Sequence, residues 1–244
     1  MRREHVGQHR LASYDELQTG ILWLLTRKGA SMKRVIFVRH GESVSNAGGI
    51  TMENAAIPLS ERGRRQAVAI AECLPASPSL VLVSPMIRTH QTAEPYCGKL
   101  GMQPVPDASL AEFSMVCPSL IAGLSGEQRK PFVEAYWADP DPERRLGPDA
   151  DTFLEFHGRV REFAGAMSKL PDVTVVFGHG IWFGLLLWHL LGYNAGDAQD
   201  MRSFRRFQQG LPMPNCALFH ITGNGSHWSV RTEVSAAQRI AAVG

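Results

Sequence analysis

The chain has 244 residues, 44% apolar and 20% charged, as in an ordinary soluble protein with room for one substantial core. Lysine plus arginine (25) nearly balances aspartate plus glutamate (23), and no basic run is long enough for a nucleic-acid stripe, so nucleic acid is not expected as a partner. Cys73, Cys97, Cys117 and Cys216 are widely spaced with no C-x-x-C pair, which argues against both a zinc site and a disulfide framework.

Residues 1–31 read as an N-terminal extension. Ser13-Tyr14-Asp15-Glu16 is a capping-box pattern, and Leu17, Ile21, Leu24 and Leu25 share one helical face, so a short amphipathic helix is predicted that ends near Arg27, Lys28 and Gly29. Docking on the core, binding of a partner and a gene start placed upstream of Met32 are the three accounts of this segment. It lacks a charged start followed by an apolar stretch and a small-residue cleavage site, and a cytoplasmic location is expected.

Residues 32–244 read as one domain. An apolar β-branched run, Val35-Ile36-Phe37-Val38, predicts a buried parallel strand, and a helix is expected from about Ser60 to Leu74. A second strand over Leu80-Val81-Leu82-Val83 leads to Ser84-Pro85-Met86-Ile87-Arg88 and a helix to Leu100. From Phe113 to Ala150 the pattern loosens into Pro, Gly and charged residues, as expected of an insertion lying over the strand edge. A helix from Thr152 to Leu170 carries Phe153, Phe156, Val160 and Phe163 on one face and precedes a third strand, Val173 to Phe177. Ile181 to Leu191 is very apolar but shorter than the roughly 18 residues that span a membrane, and a buried helix is expected instead. Ala217 to Ile221 and Trp228 to Val230 complete the strands. This βαβ rhythm predicts an α/β three-layer sandwich with a mainly parallel central sheet flanked by helices.

Each of the first three strands ends in a cationic or imidazole side chain: Arg39-His40 after the first, Arg88 just after the second, His179 after the third. In open α/β sheets that edge is where ligands bind. Two arginines and two histidines there, with Gly41 and Gly180 letting backbone N–H groups approach, suit a phosphoryl group without any metal or cofactor. Arginine fits because its planar guanidinium gives paired hydrogen bonds to two phosphate oxygens. A neutral imidazole is a competent nucleophile, which makes His40 the candidate to attack phosphorus.

Four ordered motifs carry a resemblance. Arg39-His40-Gly41-Glu42-Ser43 with Asn46, Pro58-Leu59-Ser60 to Gln66-Ala67, Ser84-Pro85 to Arg88 with Gln91-Thr92-Ala93, and Gly178-His179-Gly180 resemble the histidine phosphatase (phosphoglycerate mutase-like) superfamily, from about Lys33 to Pro214-Asn215-Cys216. The resemblance implies catalysis through a phosphohistidine on His40, with Arg39 and Arg88 clamping the phosphoryl oxygens, His179 donating a hydrogen bond, and Asn46, Gly41 and Gly180 contacting substrate. Glu112 resembles the family's general acid, with Glu42 as the fallback. That acid must stay protonated near working pH, so burial should raise its pKa.

Two branches share such a site: phosphatases release phosphate to water, and cofactor-dependent mutases return it to a bound sugar acid. The mutase segment after the acid looks like Glu-Arg followed by Tyr-Gly, whereas here Glu112 precedes the apolar Phe113-Ser114-Met115-Val116-Cys117-Pro118. Where many relatives carry small residues after the last motif, this chain has Ile181-Trp182-Phe183, bulky side chains that either narrow the pocket or face the core. The small broad-specificity phosphatases are the most similar subgroup, which implies hydrolysis of phosphate monoesters. The substrate is then expected to be a phosphorylated small molecule, with a phosphoprotein as the other option. Phe113, Met115, Tyr136 and Trp137 serve either an apolar leaving group or ordinary core. A non-catalytic interaction module would be expected to have lost the histidines or arginines, and all are present.

Overall fold

The computed structural model describes residues 31–243, so the helix expected within residues 1–31 lies outside the described residues. Strand β1 (Lys33–Arg39) alternates its side chains across the sheet. Val35 and Phe37 enter one apolar layer, Ile36 and Val38 the other. Burial on both faces explains why the strand is a continuous apolar run rather than an alternating one.

Helix α1 (Glu61–Ala71) starts at Ser60, whose side chain accepts from the Gly63 N–H. Strand β2 (Leu80–Val83) precedes α2 (Ile87–Leu100), which continues through Pro95 and stops at Gly101, a residue in the left-handed region at φ 64°. A two-residue strand, β3 (Val105–Pro106), follows. Segment 113–150 is more regular than its composition implies. It holds a single turn, α3 (Pro118–Ile121), and a 13-residue helix, α4 (Gly126–Ala138), opened by a capping box between Ser125 and Gln128. Pro131 inside α4 removes one helical N–H and disguises the periodicity.

Thr152 and Glu155 form a second capping box for α5 (Phe153–Ala166). Strand β4 (Thr174–Gly178) then leads into α6 (Gly180–Leu190). Helix α7 (Ala198–Gly210), strands β5 (Leu218–Gly223) and β6 (Trp228–Thr232) and helix α8 (Val234–Ala241) complete the described chain.

The six-stranded sheet runs β3-β2-β4-β1-β5-β6. Its β3, β2, β4 and β1 strands pair in parallel, and β5 and β6 are added antiparallel. The sheet is therefore mainly parallel with an antiparallel edge. One layer packs α5, α6 and α7 side chains such as Phe156, Phe183 and Phe204 against Phe37 and Val176. The opposite layer packs Ile70, Ala93, Tyr96 and Ile240 from α1, α2 and α8 against Val38, Val81 and Phe177. Among the described residues no helix is long and apolar enough to cross a membrane. Because β4 lies between β2 and β1, the three strand ends that carry the candidate residues are neighbours.

Candidate active site

Arg39 ends β1, and its backbone is held between sheet neighbours by the Arg39 N–H to the Ala217 carbonyl (3.0 Å). Its guanidinium Nη1 donates to the Met213 carbonyl, while the buried Nε has no hydrogen-bond partner among the described residues. Next in the chain, the His40 N–H bonds to the Gly178 carbonyl (3.0 Å), tying the end of β1 to the end of β4. His40 Nδ1 lies 2.6 Å from the Gly41 carbonyl oxygen. A carbonyl can only accept, so Nδ1 carries the proton and Nε2 keeps its lone pair. Burial, with Arg88 and Arg39 adding positive charge, pushes the His40 pKa well below its ordinary value. The ring is neutral, as a nucleophile requires.

Arg88 sits in the first turn of α2 rather than on the strand itself. Nη1 donates to the Asn54 carbonyl (2.7 Å), and burial brings its pKa down to about 10, so it stays cationic at neutral pH. His179 is fully buried beside His40, with ring centroids 5.2 Å apart, and is not among the residues that line the cavity His40 lines. Its Nε2 is 2.7 Å from Ser84 Oγ and its Nδ1 has no partner among the described residues. Burial, then Arg88 and His40, hold this imidazole well below its ordinary pKa as well.

Glu112 reaches the same cavity by an unusual route. His179 occupies the N-cap position of α6 without capping it with its side chain. Glu112 supplies the cap instead, its carboxylate accepting from the N–H groups of Ile181 (3.1 Å), Trp182 (2.9 Å) and its own neighbour Phe113 (3.0 Å). Burial raises the Glu112 pKa, opposed by those three N–H groups and by Arg88. Arg39, His40, Arg88, Glu112, Asn46 and Gly180 together line a cavity of about 400 Å³.

A model of the histidine phosphatase superfamily (branch 1) matches residues 35–234 of this chain. The chain belongs to that superfamily. Among curated relatives of this phosphatase-superfamily member, probable phosphoglycerate mutase GpmB of Erwinia tasmaniensis is 26% identical over 205 residues, covering 81% of this chain and 88% of the relative. Among solved structures, mycobacterial glucosyl-3-phosphoglycerate phosphatase is 23% identical with a TM-score of 0.61, covering 83% and 98% of the two chains. Alpha-ribazole phosphatase from Shigella flexneri is 21% identical with a TM-score of 0.64, covering 83% and 96%. These two likenesses bear on the fold alone.

Several expected residues occupy other places in this histidine phosphatase fold. The Glu42 carboxylate takes the Ser60 hydroxyl (2.7 Å) and Arg62 (3.3 Å) and does not line the cavity, so it is not placed to replace Glu112. The Gly41 N–H is spent on Thr92 Oγ1 (3.0 Å). A Cβ on Gly41 would fall 2.6 Å from the Gly63 carbonyl oxygen, so this glycine allows the loop to lie against α1. Of the bulky trio, Trp182 and Phe183 face the core, both stacked on Phe37, and Ile181 lines the cavity. Tyr136 and Trp137 are core residues. Phe113 is equally buried, yet with Met115 it lines a second cavity beside the first.

Residues to which the sequence assigns no role of their own support the site. Asn215 Nδ2 donates to the His40 carbonyl (3.2 Å) and to Asn46 Oδ1 (3.1 Å), and Asn46 Oδ1 also accepts from the Ser43 N–H (3.3 Å). With its oxygen engaged twice, the Asn46 amide presents its NH₂ elsewhere. Gln66 Oε1 accepts from the Glu42 N–H (2.8 Å), and Gln91 Oε1 from the Leu59 N–H (2.8 Å), so both glutamines hold loop backbone. Asn215 lies some 170 residues from its partners, and only its place in the last matched segment marks it. Among the described residues no group of three or more His, Cys, Asp or Glu is placed to hold a metal ion.

Proposed function

We propose that this protein hydrolyses phosphate monoesters through a phosphohistidine on His40. The observation that carries the reading is the His40 tautomer: a neutral ring whose protonated Nδ1 is anchored on Gly41 and whose Nε2 is free beside two arginines. In the first step the Nε2 lone pair attacks phosphorus, the bond from phosphorus to the ester oxygen breaks, and protonated Glu112 gives its proton to the departing oxygen. In the second, water attacks phosphorus, its proton passes to the Glu112 carboxylate, and the P–N bond breaks to restore neutral His40. Arg39 and Arg88 hold the non-bridging oxygens throughout, with binding energy that grows as charge redistributes in the transition state. The tautomer of neutral His179 in which Nε2 accepts from the Ser84 hydroxyl leaves the proton on Nδ1, the atom with which it would donate to phosphate.

Phosphoglycerate mutase activity, the activity in the name of the Erwinia relative, is the competing reading. The apolar stretch after Glu112 counts against it, because the basic residue that directly follows the acid in mutases is Phe113 here. The test is phosphate release in the presence of EDTA, from p-nitrophenyl phosphate and from 3-phosphoglycerate, with the intact protein and with His40→Ala. Release that falls at least ~10³-fold in the variant is expected of a lost nucleophile. Isomerisation of 3-phosphoglycerate without net release would replace the phosphatase reading with the mutase one.

A further inference from the structure

Beside the catalytic cavity lies a second one of about 440 Å³, a size that accommodates a small organic molecule. The two are not independent. Ser45, Asn46, Asn54 and Ile57 line both, so a molecule whose phosphoryl group sits against His40 has its ester side facing this shared wall. The second cavity is walled mainly by carbon: Phe113, Met115 and Val116 from the segment after the acid, Ile121 from α3, and Phe132 and Val133 from α4.

The α4 wall departs from that character, because Arg129 and Lys130 also line the cavity. The half-buried Arg129 on α4 donates from Nη1 to Ser45 Oγ (2.8 Å) and from Nη2 to the Ser45 carbonyl (3.4 Å). No carboxylate pairs with it among the described residues, although its chain neighbour Lys130 is 3.9 Å from Glu134. Burial lowers its pKa, so desolvation already costs this cation something that no anion among the described residues offsets. Since Ser45 belongs to the shared wall, the guanidinium lies where the ester side of a bound substrate would enter.

We infer that the substrates are phosphate monoesters whose leaving group combines an apolar body, housed among Phe113, Met115 and Phe132, with a carboxylate near the ester oxygen that pairs with Arg129. This assignment rests on the phosphatase reading, and it names the class of ester that the same site takes. An apolar body gains from leaving water, and a carboxylate beside the guanidinium gains paired hydrogen bonds that a polyol chain would not supply.

The test compares three esters of alkyl alcohols, ethyl phosphate, hexyl phosphate and 2-phosphooxyhexanoate, by kcat/KM. Hexyl phosphate is expected to exceed ethyl phosphate by about tenfold or more, since each buried methylene favours binding. That ratio should fall toward one in Phe132→Ser and Met115→Ser. The preference for 2-phosphooxyhexanoate over hexyl phosphate should fall about tenfold or more in Arg129→Gln, which keeps an amide donor for Ser45. Loss of rate on all three esters alike in Arg129→Gln would make Arg129 a support for the Ser45 loop and overturn its assignment. A hexyl-to-ethyl ratio near one in the unaltered protein would overturn the apolar part.

Calorimetric titration of the His40→Ala protein with the three esters reads the same order as affinities, without turnover. If no ester is hydrolysed, the phosphatase reading fails, while the expected order of affinities would still uphold the pocket assignment and a flat order would overturn it.

Discussion

Glu112 is held in a balance that decides what it can do. Three backbone N–H groups and Arg88 favour its ionised form, burial favours the neutral one, and burial prevails. As pH rises through its elevated pKa the protonated acid is lost, so the rate on esters with poor leaving groups should decline on the alkaline side. Glu112→Gln should cost alkyl phosphates about 10²- to 10⁴-fold, and cost p-nitrophenyl phosphate far less, because nitrophenolate leaves without a proton. Equal losses on both ester types, measured side by side, would assign Glu112 to capping α6 only. Asn215 acts at one remove, through the His40 carbonyl and the Asn46 amide. Asn215→Ala is expected to lower kcat about tenfold to 10²-fold, as small displacements of reacting groups do. Unchanged turnover with altered unfolding alone would make it merely structural.

Among the secondary elements, α1 packs closely against the first motif. A Cβ on Gly63 would lie 2.0 Å from the Glu42 carbonyl oxygen, and Ser60 joins the two segments again by capping α1 while bonding the Glu42 carboxylate. Backbone cannot yield there as a flexible side chain would, so Gly63→Ala should displace the loop carrying His40. The expected cost is about 1–3 kcal/mol in unfolding free energy together with lost turnover, read from denaturant titration and from kinetics. Helix α6 shows how an element serves chemistry through its end. Its first N–H groups fix a carboxylate from 70 residues earlier in the chain, and its Trp182 anchors that start by donating to the Ser109 carbonyl (2.7 Å).

On the scale of the whole molecule, two buried neutral histidines bias stability against acid. His40 and His179 have pKa values well below the 6.5 of an unfolded histidine. Between their folded values and about 6.5 the unfolded chain binds more protons. Stability therefore falls as pH drops through that window, and these two groups contribute no further change above it. The raised pKa of Glu112 works oppositely, losing stability as pH rises through its folded value. Urea midpoints from pH 5 to pH 8 should rise toward neutrality, with a shallower slope in His179→Asn. An identical slope in that variant would mean the imidazole titrates normally in the folded protein.

Composition and pattern by themselves determine the α/β class, the three apolar strands that end in Arg39-His40, Ser84 and His179, and the superfamily. Each of these rests on local regularity: β-branched runs, caps and glycine-flanked motifs are written in consecutive residues. The antiparallel β5–β6 edge, the regular helix α4 within a Pro-interrupted segment and the core burial of Tyr136 and Trp137 were decided by tertiary structure. So were the diversion of Glu42 to Ser60, the cap that Glu112 gives to α6 and the clamp of Asn215 on Asn46. Those features depend on which distant backbone groups meet once the sheet order is set, and a polar side chain's partner at long range leaves no periodic trace in sequence.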